Sequence, residues 1–191
     1  MIKVNYSNQT IKNIAAAEGD WTEHDFNQCV FQKGDFSQAD FSGSVFVDCR
    51  FVDCNLANIK VNGCSFQGVV LSGCKILGVN FSTINSLLIN WSFQDCHISL
   101  CDFGNLDIRG SQFLNCEIKE VDFFSTNLSG ADFSGSDLLN SRFQLTNLER
   151  ANFVGAHNYA ISPGSNKLKQ AHFAYPEVLS LLTDTGIKVE F

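Results

Sequence analysis

The sequence predicts an all-β chain wound as a square coil, a solenoid whose interior is filled by its own large apolar side chains. Three observations carry this. Large apolar residues stand five apart at 27 positions, from 21 to 81 and again from 88 to 153. Two residues before each, the side chain is small in 23 of the 27 cases, the exceptions being His24, Ile59, Trp91 and Leu106. The position between them is mostly polar, as at Asp35, Asp40, Asp122 and Asn152.

A five-residue step suits neither common element. On an α-helix it walks residues around the circumference, and on a flat strand an odd step sends successive side chains to opposite faces. A coil that turns a corner every five residues instead points one large and one small residue inward on each side. Four sides close a turn of about twenty residues, and turns stack about 4.8 Å apart like parallel strands, burying a core that no single turn could bury alone. Of the 18 phenylalanines, 15 occupy the large position; only Phe124, Phe173 and Phe191 lie outside it.

The elements follow in order. Residues 1–18 are expected to cap the N-terminal end, and residues 19–155 to form the coil. From Phe81 to Leu88 the spacing is seven, so a two-residue insertion falls near 82–92, with Leu87 and Ile89 expected to point outward beside Trp91. Nine glycines, among them Gly43, Gly73 and Gly155, stand two residues after a large position, where a tight corner favours positive φ. Residues 156–191 are expected to cap the C-terminal end. There an α-helix spans about 176–185, opened by Pro176 and closed by Gly186, before the alternating tail IKVEF. Val178, Leu181 and Leu182 on that helix, with Ile187, Val189 and Phe191 in the tail, are the expected homodimer interface.

A chain of 191 residues suits a single domain. The opening MIKVNYSNQT lacks a basic stretch followed by an apolar run, and no segment approaches the eighteen or so apolar residues of a membrane span. The expectation is a soluble, cytoplasmic protein that makes no membrane contact. The eight cysteines, Cys29, Cys49, Cys54, Cys64, Cys74, Cys96, Cys101 and Cys116, all take the small inward position, and no C-x-x-C pair occurs. They read as small hydrophobes, without a disulfide or metal. His24 falls in a small slot and His97 points outward, and neither His157 nor His172 has neighbours resembling a ligand set. The sequence holds no nucleophile elbow, dinucleotide fingerprint, phosphate-binding loop or H-E-x-x-H. No catalytic residue and no cofactor are therefore expected, and function falls to the outer surface.

That surface is acidic. The net charge is −7, and between residues 21 and 155 there are 15 acidic and 8 basic residues. Residues 95 to 137 alone hold Asp95, Asp102, Asp107, Glu117, Glu120, Asp122, Asp132 and Asp137 against Arg109 and Lys119. These eight carboxylates are the candidate partner-binding surface. They repel nucleic acid and attract a basic protein partner.

The segments ADFSG at 39–43 and 131–135, TNLSG at 126–130 and ANFVG at 151–155 match the consensus A(D/N)LXX, and through them the chain resembles the pentapeptide-repeat family. The resemblance covers residues 19–155. It implies a right-handed quadrilateral parallel β-helix of nearly seven turns. Taken with the acidic surface, the length and the helical tail, the chain is similar to the Qnr-type quinolone-resistance members. That similarity implies a dimeric mimic of DNA, joined through its C-terminal segment, which binds DNA gyrase or topoisomerase IV and shields it from quinolones or peptide toxins. The residues themselves leave a second reading open, a scaffold that docks another protein through its acidic faces.

Overall fold

A computed structural model describes residues 3–15, 19–87, 89–187 and 190. The chain forms a parallel β-solenoid of about 8 turns with one short helix. Its first wall stacks Asn5–Ser7, Asp25–Asn27, Val45–Val47 and Ser65–Gln67. The second wall is a six-stranded sheet running from Thr10–Lys12 to Gln112–Leu114. The third holds Lys75–Leu77, His97–Ser99 and Glu117–Lys119. The fourth is carried by single-residue bridges such as Asp40↔Lys60 and Asp102↔Asp122, and ends in the pair Arg142–Phe143 and Ala160–Ile161, whose partners are eighteen residues apart. Elsewhere in the regular turns partners are twenty residues apart, as in Phe26↔Phe46 and Phe31↔Phe51.

This register turns the five-residue spacing into columns. On the second wall Phe93, Phe113, Phe133, Phe153 and Phe173 stack with centroids 4.9 to 5.0 Å apart and planes within 9°. Phe81, Phe103, Phe123 and Phe143 form the opposing column. The rings of the two columns meet edge-on, as Phe103 and Phe113 do at 6.1 Å and 83°, the arrangement favoured by the aromatic quadrupole.

The small slot also carries a hydrogen bond. The hydroxyls of Ser136, Ser141 and Thr146 donate to the carbonyls of Phe113, Ile118 and Phe123 in the preceding turn, at 2.7 to 2.9 Å. The thiols of Cys49, Cys54 and Cys74 donate in the same way to Phe26, Phe31 and Phe51, each at 3.4 Å. All eight cysteines are free and buried. At these positions serine, threonine and cysteine satisfy a buried carbonyl while filling a small space, which alanine cannot do, whereas the Ser111 hydroxyl in the same slot is buried without a partner. Corners close with positive φ, from 50° at Asp48 to 76° at Gly155. At Gly73 a side chain is excluded twice, by a φ of 62° and by Asp53 Oδ1, which lies 2.6 Å from where a Cβ would stand.

Pairing runs past both limits of the expected 19–155 span, because Tyr6 and Ile11 at one end and Leu168 and Phe173 at the other supply further wall positions that pack on the core. At the insertion the register lengthens from twenty to twenty-two, giving Ser92↔Val70 and His97↔Lys75. A 3₁₀ turn, Phe81–Thr83, leads into it, and Leu88 lies outside the described residues. Of the expected outward pair, Leu87 is exposed, at 66%. Ile89 packs partly against the core, and Trp91 turns inward, 2% exposed, its indole N–H donating to the Phe66 carbonyl at 3.0 Å. The reason is volume. Phenylalanine gives way to Leu56, Val61 and Leu71 in the turn above, and the oversized slot residues Ile59 and Trp91 fill most of the deficit. An apolar void of about 20 Å³ remains between Phe51, Leu56, Phe66, Leu71 and Trp91.

The closing helix, Glu177–Thr185, is 3₁₀ where an α-helix was expected. Leu179 N–H donates three residues back to the Pro176 carbonyl at 3.1 Å. Residues three apart eclipse in this geometry, so Val178 and Leu181 align and Leu182 falls off their line.

Candidate partner-binding surface

The Asp and Asn of the repeat stand one residue before each large position, and the structure assigns them a local task. Their side-chain oxygens accept the backbone N–H two residues on. Gly104 donates to Asp102 at 2.7 Å, Phe124 to Asp122 at 2.8 Å, Ser134 to Asp132 at 2.9 Å and Leu139 to Asp137 at 3.3 Å. Asparagine does the same at Asn127, Asn147 and Asn152. Side-chain amides then link neighbouring rungs, Asn127 donating to Asp107 at 3.1 Å and Asn152 to Asp132 at 3.1 Å. A (D/N) position in the sequence thus marks a turn cap first and a surface charge second.

The eight candidate carboxylates divide accordingly. Asp102, Asp122, Asp132 and Asp137 cap wall turns. Asp107 is paired with Arg109, whose guanidinium bonds hold its carboxyl below the usual range. Glu117 is lowered by Lys119 at 3.2 Å and by His97 at 3.2 Å. Asp95 and Glu120 stand at corners with positive φ. They do not form one stripe. Adjacent rungs bring Asp102 to Asp122 on the fourth wall and Glu117 to Asp137 on the third, while Asp107 lies on the first wall and Asp95 and Asp132 on the second.

A fuller pattern appears when the described charges of residues 4–175 are placed on their walls together with the corner that follows, Lys3 at the entry to the rod being paired with Asp25 at 2.9 Å. The fourth wall carries Asp20, Glu23, Asp40, Asp102 and Asp122 against Lys60 and Arg142. The third carries Asp35, Glu117, Glu120 and Asp137 against Lys75 and Lys119. On the first wall Asp25, Asp48, Asp107 and Glu149 are matched by Arg109, Arg150, Lys167 and Lys169. The second balances three of each sign. Two walls therefore hold the solenoid's excess of five negative charges, and the other two are neutral. Sorting charges by position within the twenty-residue turn, with a shift of two after Phe81, would have exposed this in the sequence.

Among the expected dimer residues, Val178, Leu181 and Leu182 are half-buried, with Leu181 packed on the core, and Ile187 is 59% exposed. Val189 and Phe191 lie outside the described residues. Tyr175, just before the helix, is 70% exposed. Among the described residues no three His, Cys, Asp or Glu side chains converge as a metal site, and no helix is long and apolar enough to cross a membrane.

Two family models match the chain, a pentapeptide repeat region over residues 84–153 and pentapeptide repeats (9 copies) over residues 26–69. Among solved structures, trypsin-treated QnrB1, a plasmid-mediated fluoroquinolone resistance protein, is similar at 17% identity over 98% of both chains, with a TM-score of 0.51. HetL, a pentapeptide repeat protein involved in heterocyst differentiation regulation from the cyanobacterium Nostoc sp. strain PCC 7120, is 16% identical over 88% of this chain and 87% of its own, with a TM-score of 0.29. A pentapeptide repeat protein of the Arabidopsis thaliana thylakoid lumen is 20% identical over 72% of this chain and 66% of its own, with a TM-score of 0.20. Comparison with curated protein sequences gives no match.

Proposed function

From the premise that the chain belongs to the pentapeptide-repeat family, we propose that it is a non-enzymatic rod whose acidic walls occupy a basic, duplex-binding surface of a type II topoisomerase, DNA gyrase or topoisomerase IV, and so shield that enzyme from quinolones or toxins. The observation that carries this reading is the concentration of the solenoid's negative charge on two adjoining walls. The fold shared with QnrB1, a fluoroquinolone resistance protein, supports it. A core filled by its own side chains directs binding to the outside and favours a docking role over catalysis.

Supercoiling and drug-induced cleavage by purified gyrase, each with and without this protein and ciprofloxacin, test the proposal. The expected result is less cleavage at a given drug concentration. Replacing both Asp102 and Asp122 with Asn should weaken the effect while keeping the turn caps, since an amide oxygen accepts the same N–H. Lysine at these positions would lose the caps at a cost of about 1 kcal/mol each.

A second reading, an interaction scaffold for another basic protein, is favoured by charge density. Five excess charges spread over about 8 turns of about 4.8 Å give roughly one charge per 8 Å, against about one per 1.7 Å along duplex DNA. Charge alone makes the rod a weak copy of a duplex, so contacts of another kind must contribute. No effect on either gyrase assay would leave this scaffold reading in place.

A further inference from the structure

We infer that the edge between the third and fourth walls, below the insertion, is a docking surface for a basic amphipathic helix of a partner protein. This rests on the reading that the rod docks a basic partner, and it names the place and the chemistry of the contact. Six residues build the surface: Leu100, Asp102, Glu120, Asp122, Phe124 and Leu139. Their rungs are hydrogen-bonded neighbours, Leu100 N–H donating to the Lys119 carbonyl at 3.1 Å and Glu120 N–H to the Leu139 carbonyl at 3.0 Å.

Two independent features coincide there. The first is charge, since these are the two walls with a negative excess, and the edge joins them. The second is apolar exposure at a strained position. Leu100 is 58% exposed and holds a φ of 54°, in the left-handed region. The same corner column holds Gln38, Asn58 and Gly78 above and Glu120 and Asn140 below, so Leu100 is its one apolar side chain among residues of which Asn and Gly adopt this conformation with least strain. Packing does not require a leucine at Leu100, yet the chain accepts both the strain and the exposure. Leu139, 42% exposed, stands two rungs along. Phe124 is half-buried on the fourth wall beneath the Arg142 guanidinium, 4.7 Å from its ring centroid. Between the apolar residues, the caps fix the Asp102 and Asp122 carboxylates in place, Asp122 also pairing with Arg142 at 3.3 Å.

The spacing suits a helix lying along the rod. Two rungs span about 9.6 Å, and seven residues of helix rise about 10.5 Å, so apolar residues at i and i+7 reach Leu100 and Leu139 together. Lys or Arg on the flanks of that stripe would meet Glu120 and Asp102, and would reach Asp122 by displacing Arg142.

The test is titration of the ¹⁵N-labelled full chain with a synthetic helix of about 18 Leu and Lys residues, long enough to cover the surface at the rise per residue used above. Its Leu/Glu counterpart is the control. Shifts should saturate at Leu100, Glu120, Phe124 and Leu139 and be absent with the acidic peptide. Leu100→Asn should weaken binding at least fivefold while leaving the melting temperature equal or higher, because asparagine suits the left-handed corner. Asp53→Asn, at a corner of the second wall with a φ of 53° that asparagine also adopts, should leave affinity within twofold. Shifts spread evenly over all four walls, or unchanged affinity in Leu100→Asn, would overturn the inference. Purified gyrase serves as a second probe. If the peptide maps to the edge and gyrase does not bind, the topoisomerase reading falls and the edge stands; if gyrase binds wild type and Leu100→Asn alike, the edge falls and that reading stands.

Discussion

Above the insertion the core crowds phenylalanine onto all four walls, from Phe26 through Phe51, and then runs short of volume at Leu56, Val61 and Leu71. Below it, phenylalanine alternates strictly with isoleucine or leucine from Phe93 to Phe153, so two opposite walls are aromatic and two aliphatic. The first arrangement needs Ile59 and Trp91 as backfill and still leaves a void; the second repeats turn after turn with rings in matched stacks. Alternation gives every rung the same inward volume, and a stack of equal rungs packs without repair.

The sharpest way to break this comparison is Phe113→Ala. Phe113 is 0% exposed between Phe93 and Phe133, and its loss should cost about 3 to 5 kcal/mol in urea unfolding. A loss under about 1 kcal/mol would mean that the lower stack is not tightly packed. In the upper region Trp91→Phe should cost about 1 to 3 kcal/mol, since the Phe66 carbonyl then loses its donor in a buried site. A matched pair of substitutions sharpens the contrast. Val121→Ile in the regular half should destabilise by about 1 to 2 kcal/mol through overpacking, whereas Val69→Ile, which adds a methyl toward the void, should stabilise by about 0.5 kcal/mol. Equal effects at the two valines would remove the distinction.

Acid should separate the two regions less than it unites them, because both carry carboxylates held below their ordinary values. Asp35 and Asp40 lie above the insertion, lowered chiefly by the Ser37 and Ser42 side chains; Asp107 and Glu117 lie below, lowered chiefly by Arg109 and Lys119. Such groups hold a proton less readily folded than unfolded. Their contribution is complete above the unfolded values of 3.8 and 4.5 and is lost as pH falls through the folded ones. The urea midpoint should therefore decline below about pH 4, and less steeply in Asp107→Asn. The smallest effect expected is that of a thiol reagent on the native protein. All eight cysteines are buried, and burial raises Cys49 and Cys101 to about 11, so labelling should await denaturant.

Much of the fold was legible because the inward positions obey one spacing, and Phe113 or Cys74 could be placed from the sequence alone. For Trp91 the slot was legible but the room for so large a ring was not, because that room depends on a volume deficit one turn away at Leu71 rather than on its own neighbours. The helix type was hidden for a related reason, since Val178 and Leu181 fit either geometry. For the candidate surface the residues were legible at once, whereas their grouping emerges only when they are sorted by position within the turn. Asp132 and Asp122 look alike in sequence, yet the twenty-residue turn sends one to a neutral wall and the other to a negative one.

The two-residue insertion behaves like a stacking fault in a crystal. Order lapses on one wall of a single turn and is fully recovered on the next, because each layer is held only by the layers beside it. Lengthening such a filament by complete layers would leave every ladder in phase, whereas a partial layer has to be absorbed as a local defect. The length of the rod is thus free to vary in steps of one layer without any change in how its layers are made.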